Sequence, residues 1–297
     1  MNSAARSLSG LLTHLGTLRF TGADALGFLQ GQISNDARRL AQNTPLLAAC
    51  SNPQGRVLAV IYLLPHTSGT LAVLPRELTA LTLERLRKFV LRAKVKIEDV
   101  SDCLQVAGCH SPADLAAGGL DVPSGDGYFE QKGVGVARVA GTARSFVVGE
   151  AQPLGALGLT EDAQQGWRLA DIHAGLPQVY APTSGEFVAQ MLNLDLLDGI
   201  SFTKGCYTGQ EIIARTQHLG RIKRRMFHLS LPGDTWSVGQ PIRLTDGRHG
   251  RLTEVVSLGQ RTEALAVLAL ESGAADAEAG IQGPPIGAVE QPLPYAL

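Results

Sequence analysis

Lys204-Gly205-Cys206-Tyr207-Thr208-Gly209-Gln210-Glu211 brings a thiol, a cation and a helix-start pattern together in one short stretch. Thr208 followed three positions later by Glu211, with Ile212 and Ile213 next, has the spacing of a capping box and predicts a helix N-terminus at Thr208. Cys206 then lies just outside that end. Free backbone N–H groups and the positive pole of a helix both favour a nearby anion, and Lys204 is two residues from the sulfur, so the thiolate is favoured over the thiol. The chemistry this predicts is that of a reactive cysteine, with Lys204 lowering its pKa. Gly205 and Gly209 bracket the segment and would let the backbone turn tightly or let a ligand come close.

A second set of charges follows. Arg215, Arg221, Lys223, Arg224 and Arg225, with His218 among them, place five fixed positive charges in eleven residues that contain no acid. Such a run suits an anionic ligand, either a polycarboxylate or the phosphates of RNA. No RRM, KH or aromatic-ladder pattern accompanies it, so sequence-specific reading of RNA is not expected. The four cysteines, Cys50, Cys103, Cys109 and Cys206, show no CxxC and no pairing with histidine at zinc-ligand intervals. Neither a disulfide framework, nor a structural zinc, nor a permanent iron–sulfur cluster is expected from that spacing.

The elements that must position these groups are those of an ordinary globular chain. With 297 residues, 44% hydrophobic and 18% charged, there is material for two or three cores, and the net charge of -1 gives no global pull toward nucleic acid or membrane. No secretory signal and no run of about eighteen apolar residues is seen, so a cytoplasmic location is expected, where Cys206 would stay reduced.

Leu15 to Phe20 reads as a strand, and Thr21-Gly22-Ala23-Asp24 as a helix start with Leu26, Leu29 and Ile33 on one face and Asn35-Asp36 at the end. Leu46 to Ser51 and Val57 to Leu64 form a hairpin across Asn52-Pro53-Gln54-Gly55, and Leu71 to Leu74 adds a strand. From Arg76 to about Lys94, Leu78, Leu81, Leu86, Phe89 and Val90 recur at helical intervals beside Arg85, Arg87, Lys88 and Arg92, predicting a basic amphipathic helix. Val95 to Val100 closes this half. A second half has strands at Leu104 to Ala107, Val134 to Val139 and Ser145 to Val148, a short helix over Ser111 to Leu120, and an exposed Gly/Pro/Asp-rich loop over Gly118 to Gly127.

Trp167 opens a short helix expected to end at Gly175. From Arg225 the pattern turns to short strands: Phe227, Leu229 and Leu231 alternate with His228 and Ser230, followed by Pro241 to Leu244, Gly250 to Ser257 and Glu263 to Leu270. These predict a small antiparallel barrel with a long Gly/Ala/Pro-rich loop over Ser272 to Gly287. The boundaries implied are 1–102 and 103–222 for two α+β subdomains, between which strands could be exchanged, and 223–297 for the barrel.

The motif Lys204 to Glu211 resembles the signature Lys-Gly-Cys-Tyr-x-Gly-Gln-Glu of the YgfZ family of folate-binding proteins, relatives of the glycine-cleavage T protein, an aminomethyltransferase. Gly185-Glu186-Phe187, Gln190 to Asp195, Gly199 to Phe202 and the ending Pro292-Leu293-Pro294-Tyr295 are similar too, so the likeness runs nearly the full length. The resemblance implies an α+β fold like that of the T protein: two ferredoxin-like α+β subdomains around a central folate hollow, plus a C-terminal antiparallel β-barrel. It also implies tetrahydrofolate, or a derivative, as the bound cofactor. Implied partners are iron–sulfur enzymes, such as the one that methylthiolates certain tRNAs, whose clusters the family helps to assemble or repair. A monomer is expected.

By that resemblance Trp167, Leu15, His173, Asn193 and Arg215 are the folate-site residues, with Cys206 and Lys204 doing the chemistry and Cys206 a possible transient iron–sulfur ligand. Two departures stand out. His173 occupies the place of an acidic residue in the family's acidic-Ala-Gly-x-Pro motif, and a neutral imidazole accepts one bond where a carboxylate accepts several. Leu15 stands where some relatives carry a second folate-site tryptophan.

An aminomethyltransferase needs a carboxylate near the folate amine to hold or move a proton. The stretch corresponding to the acidic pair of the T proteins is Arg56-Val57-Leu58-Ala59-Val60-Ile61, without an acid, and Cys206-Tyr207-Thr208-Gly209 replaces their Asp-Phe-Ile-Gly. The reading is therefore an accessory protein using sulfur. The alternatives are a folate-dependent one-carbon transferase of unknown substrate and an RNA-interaction module built on Arg221 to Arg225.

Overall fold

The computed structural model of the chain describes residues 9–121, 127–218, 220–271 and 284–297. Most of the loop expected over Ser272 to Gly287, the middle of the Gly118 to Gly127 loop and the side chain of His218 lie outside the described residues. In order, the elements are β1 (Gly10–Leu11), β2 (Leu15–Thr21), α1 (Ala25–Gln30), β3 (Leu46–Ser51), β4 (Val57–His66), β5 (Gly69–Pro75), α2 (Thr79–Arg87), β6 (Lys96–Asp99) and β7 (Gln105–Cys109). There follow α3 (Pro112–Ala117), β8 (Tyr128–Gln131), β9 (Val134–Arg138), β10 (Ser145–Gly149), α4 (Ala151–Ala156), α5 (Gln164–Ala174) and α6 (Gln210–His218). The chain closes with β11 (Arg224–Pro232), β12 (Pro241–Arg243), β13 (His249–Ser257), β14 (Arg261–Ala269) and β15 (Val289–Gln291).

Two compact units emerge. One takes in the described residues up to Ala48, then Ile61–Trp167 and Lys204–Tyr207; the other takes in Ala49–Val60, Arg168–Thr203 and the described residues from Thr208 onward.

The first unit holds one sheet whole and most of another. One has the order β3-β4-β5-β2-β6, with β2 antiparallel to both β5 and β6, so Leu15–Thr21 is flanked on both edges. The other has the order β1-β7-β10-β9-β8 and packs Ala107, Val134, Val136 and Val147 against Leu115 of α3 and Leu154 of α4. The opposite face is buried too, with Val106, Phe146 and Val148 on it.

The helix expected from Arg76 to Lys94 is shorter than its periodicity suggested. A 3-10 turn over Arg76–Leu78 leads into α2, which stops at Arg87, and Leu91 takes a left-handed φ of 44° beyond it. The buried face is Leu78, Thr79, Thr82, Leu83 and Leu86, whereas Leu81 and Phe89 are exposed. Two threonines replace two large hydrophobes on that face, because the burial stripe is rotated from the one that counting apolar residues alone selects.

In the second unit β12-β13-β14-β11-β15 form one sheet. Phe227, Leu229 and Leu231 of β11 enter a core with Ile242, Leu244, Leu252, Ala264, Ala266 and Leu268, as the alternation predicted. The expected barrel does not close: among the described residues the ladder is open, and its short edge strands are joined by an isolated parallel bridge between Leu244 and Ile286. Three-residue strands at both edges give too few ladder bonds to seal the sheet.

Candidate functional site

The signature motif is anchored by its lysine. Lys204 is 5% exposed, and its Nζ donates to the carbonyl oxygens of Gln30 (2.8 Å), Ile33 (2.8 Å) and Asn35 (2.7 Å). These acceptors lie at and just beyond the C-terminal end of α1, where helical carbonyls lose their intrahelical partners. One ammonium carries three donors, and all three are spent here. Burial pushes the Lys204 ammonium down to about 8, with Asp36 raising it and Arg38 lowering it further. The three carbonyls oppose the effect of burial because they stabilise the charged form, so the group is protonated at neutral pH. The ammonium also sits 4.8 Å from the centroid of the Tyr207 ring. Lys204 is therefore a clamp holding residues 204–207 onto the first unit, and it has no N–H left to donate to the Cys206 sulfur.

Cys206 is exposed, as is Cys103, while Cys50 and Cys109 are buried. Burial, with the Asp114 charge adding to it, pushes the Cys109 thiol up to about 12. A Cβ placed on Gly205 meets nothing within 4 Å, so the chain beside the exposed sulfur borders open space. The helix after the motif begins at Gln210 rather than Thr208. Cys206 consequently precedes it by more residues than the capping-box spacing indicated, and the field of a helix end acts chiefly within about one turn.

The two glycines of the motif have different tasks. Gly209 has a φ of 85°, and a Cβ there would stand 2.7 Å from the Asn52 carbonyl oxygen and 3.0 Å from the Gly55 Cα. Gly55, with a φ of 70°, would bring a Cβ to 2.8 Å from that of Ile212. Gly209 thus serves the close approach of the β3–β4 hairpin tip to the start of α6. The tip itself is fixed by Asn52, whose Oδ1 accepts from Arg56 N at 2.9 Å.

Trp167 is enclosed, at 1% exposure. The Arg144 guanidinium lies 4.5 Å from the ring centroid, the Phe146 ring 5.0 Å and the His110 ring 5.7 Å away. A Cβ on Gly108 would fall 2.3 Å from the indole, so β7 needs a glycine to admit the ring. Here the residue is packing, completed by a cation–π contact. Leu15 is buried in β2 opposite Pro75.

Asn193 is buried in the left-handed region at φ 58°. Its Nδ2 donates to Met226 O (2.8 Å) and to Tyr295 Oη (3.3 Å), and its Oδ1 accepts from Met226 N (3.3 Å), so its amide is committed within the second unit. His173, at the end of α5, and Arg215, on α6, have exposed side chains. Gly175 ends α5 with a φ of 63°, as its place after the helix predicted.

The cationic run is partly spent on structure. Arg225 is buried and makes a bidentate pair with Asp195 (2.6 and 2.8 Å) while donating to Gln190 O (2.9 Å). Arg221 pairs with Glu271 at 2.5 Å on the surface. A further, partly buried ion pair, missed by the sequence reading, joins Arg168 to Glu254, whose other oxygen accepts from Tyr180 Oη at 2.6 Å. Tyr180 and Glu254 lie on separate elements with no motif linking them, and the only sequence signal was a charged residue inside a β-patterned run.

No helix among the described residues is long and apolar enough to cross a membrane. No protein-family model matches the chain. Among solved structures, the glycine cleavage system aminomethyltransferase T from Bartonella henselae superposes with a TM-score of 0.67 at 17% identity, covering 89% of this chain and 79% of that one, which shows the T-protein fold. The tRNA-modifying protein YgfZ of Colwellia psychrerythraea (strain 34H) is 32% identical over 227 residues, 74% of this chain and 70% of that protein. The tRNA-modifying protein YgfZ of Yersinia pestis (strain Pestoides F) is 30% identical over 298 aligned residues, spanning 93% of this chain and 89% of that protein. With identity at that level across nearly the whole of both chains, the protein belongs to the YgfZ family.

Proposed function

We propose that this chain is a folate-binding accessory protein of tRNA modification, in which the Cys206 thiol acts on, or transiently ligates, the iron–sulfur centre of a client enzyme. The observation that carries the reading is an exposed sulfur beside an open glycine, on a backbone segment that a buried lysine clamps in place. Such a thiol is accessible to a macromolecular partner and held at a defined place, whereas the buried Cys50 and Cys109 are not accessible.

Kinship with relatives named for tRNA modification and a fold shared with a T protein support the substrate class. Of the residues matched to a folate site, Arg215 has an exposed cation that would meet the glutamate carboxylates of the ligand. Trp167 and Leu15 are buried within the first unit and Asn193 within the second, so none of the three offers an exposed side chain to the ligand. The commitment of Arg225 and Arg221 to acidic partners weakens the reading of this run as an RNA-binding module.

Isothermal titration of the full chain with tetrahydrofolate tests the ligand half. One equivalent is expected to bind both the wild type and Cys206→Ala, without consumption of the folate. Absence of binding by the wild type would refute a folate role, and turnover of a one-carbon folate would move the assignment to a transferase.

A further inference from the structure

In the second unit three donors that sequence spacing does not connect come together. His173 lies at the end of α5, His228 on β11 and Glu263 on β14, and one ligand atom from each lies within 4.8 Å of the other two. His228 and Glu263 project from the face of the sheet opposite its hydrophobic core. In the ladder His228 pairs with Leu265 and Ser230 with Glu263, which makes the histidine and the glutamate diagonal neighbours on that face. His228 Nε2 is 2.7 Å from Glu263 Oε2, and both side chains are 6% exposed. The other ring nitrogen of His228, Nδ1, is buried with no hydrogen-bond partner among the described residues.

The His173 ring stands 5.5 Å from that of His228, on the solvent side. All three residues line one cavity of about 320 Å³, with Ser230, Arg261, Gln291 and Pro292. Arg261 is 3.4 Å from Glu263 Oε1 and so leaves Oε2 facing the histidines.

We infer that His173, His228 and Glu263 form a binding site for a zinc-class divalent transition metal ion, with a coordination position open to the cavity. Two imidazoles and one carboxylate are the donor set such ions take, and three protein ligands beside a cavity leave room for water or a ligand atom. Donors around a tetrahedral ion at about 2.0–2.1 Å stand roughly 3.3 Å apart. The site closes to that spacing by a small swing of the exposed His173, the only one of the three not fixed in a strand. On binding, the metal takes the place of the hydrogen between His228 Nε2 and Glu263, and the neutral ring carries its proton on Nδ1 instead. A ring of hard oxygen donors is absent from this cluster, which disfavours magnesium and calcium. The inference shares His173 with the folate site that the resemblance implies, but its test reads zinc alone, so failure of one reading does not entail failure of the other.

The test uses the full chain, stripped with chelator and titrated with Zn(II) or Co(II) alone. Expected are one equivalent of zinc retained after dialysis and a visible Co(II) spectrum without a thiolate charge-transfer band, both undisturbed by excess Mg(II) and by Cys206→Ser. His173→Ala, at an exposed helix end, and Glu263→Gln, which keeps a hydrogen bond to His228, are each expected to weaken zinc binding at least about tenfold, with circular dichroism confirming that they fold. Failure of the wild type to hold zinc stoichiometrically, or wild-type zinc affinity in either folded variant, would overturn the inference.

Discussion

Lys204→Met is expected to lower unfolding stability by about 3 kcal/mol, while Cys206→Ser, two residues away, changes it by less than about 0.5 kcal/mol. Methionine preserves the length and the apolar stem but leaves the carbonyls of Gln30, Ile33 and Asn35 without their shared donor. Each buried acceptor left unpaired costs roughly 1–3 kcal/mol, and relaxation toward water recovers part of the sum. Arginine should not rescue, because its planar fork cannot converge on three carbonyls as a tetrahedral ammonium does. Urea denaturation of the four proteins checks this. A Lys204→Met chain as stable as wild type would mean that the lysine is not the clamp, and would reopen the possibility that it acts directly on the thiol.

Arg225→Met is expected to destabilise by about 3–5 kcal/mol, because it strands the buried Asp195 carboxylate. The pair is bidentate, and one of its guanidinium nitrogens also serves the Gln190 carbonyl, so the change breaks a connected set of charge-assisted bonds. Adding Asp195→Asn to Arg225→Met should recover part of the loss by removing the unpaired charge, a coupling that a double-mutant cycle reads directly. Had Arg225 belonged to an anion-binding surface, as its place in a cationic run suggested, its loss would leave the denaturation midpoint near that of wild type and weaken polyanion binding instead.

These two residues mark where sequence and structure part. Strands were legible where an apolar run or period-2 alternation met turn chemistry: β3, β4 and their Asn52–Gly55 turn were readable as runs, and the inward set Phe227, Leu229 and Leu231 by alternation. Very short strands such as β1 and β15 carry no period and were not seen. The end of α2 was misplaced because Leu91, a helix-favouring residue, adopts a left-handed backbone that no local pattern announces.

At the site, the motif residues were legible as a group, but their tasks were not. Proximity in sequence put Lys204 beside Cys206, whereas the fold turns its ammonium to carbonyls about 170 residues earlier in the chain. The same limit hid His228 and Glu263, which looked like polar members of alternating strands until strand pairing set them together.

Under the proposed function, an exposed, clamped Cys206 performs the chemistry while folding and ligand binding proceed without it. The measurement that tests it most directly is mass-spectrometric quantification of methylthiolated tRNA nucleosides in cells whose own copy of this gene is deleted, complemented with wild type or with Cys206→Ala. Wild type should restore the modified nucleoside, and Cys206→Ala should fail to do so while accumulating as a folded protein at wild-type level. Full restoration by Cys206→Ala would contradict the account.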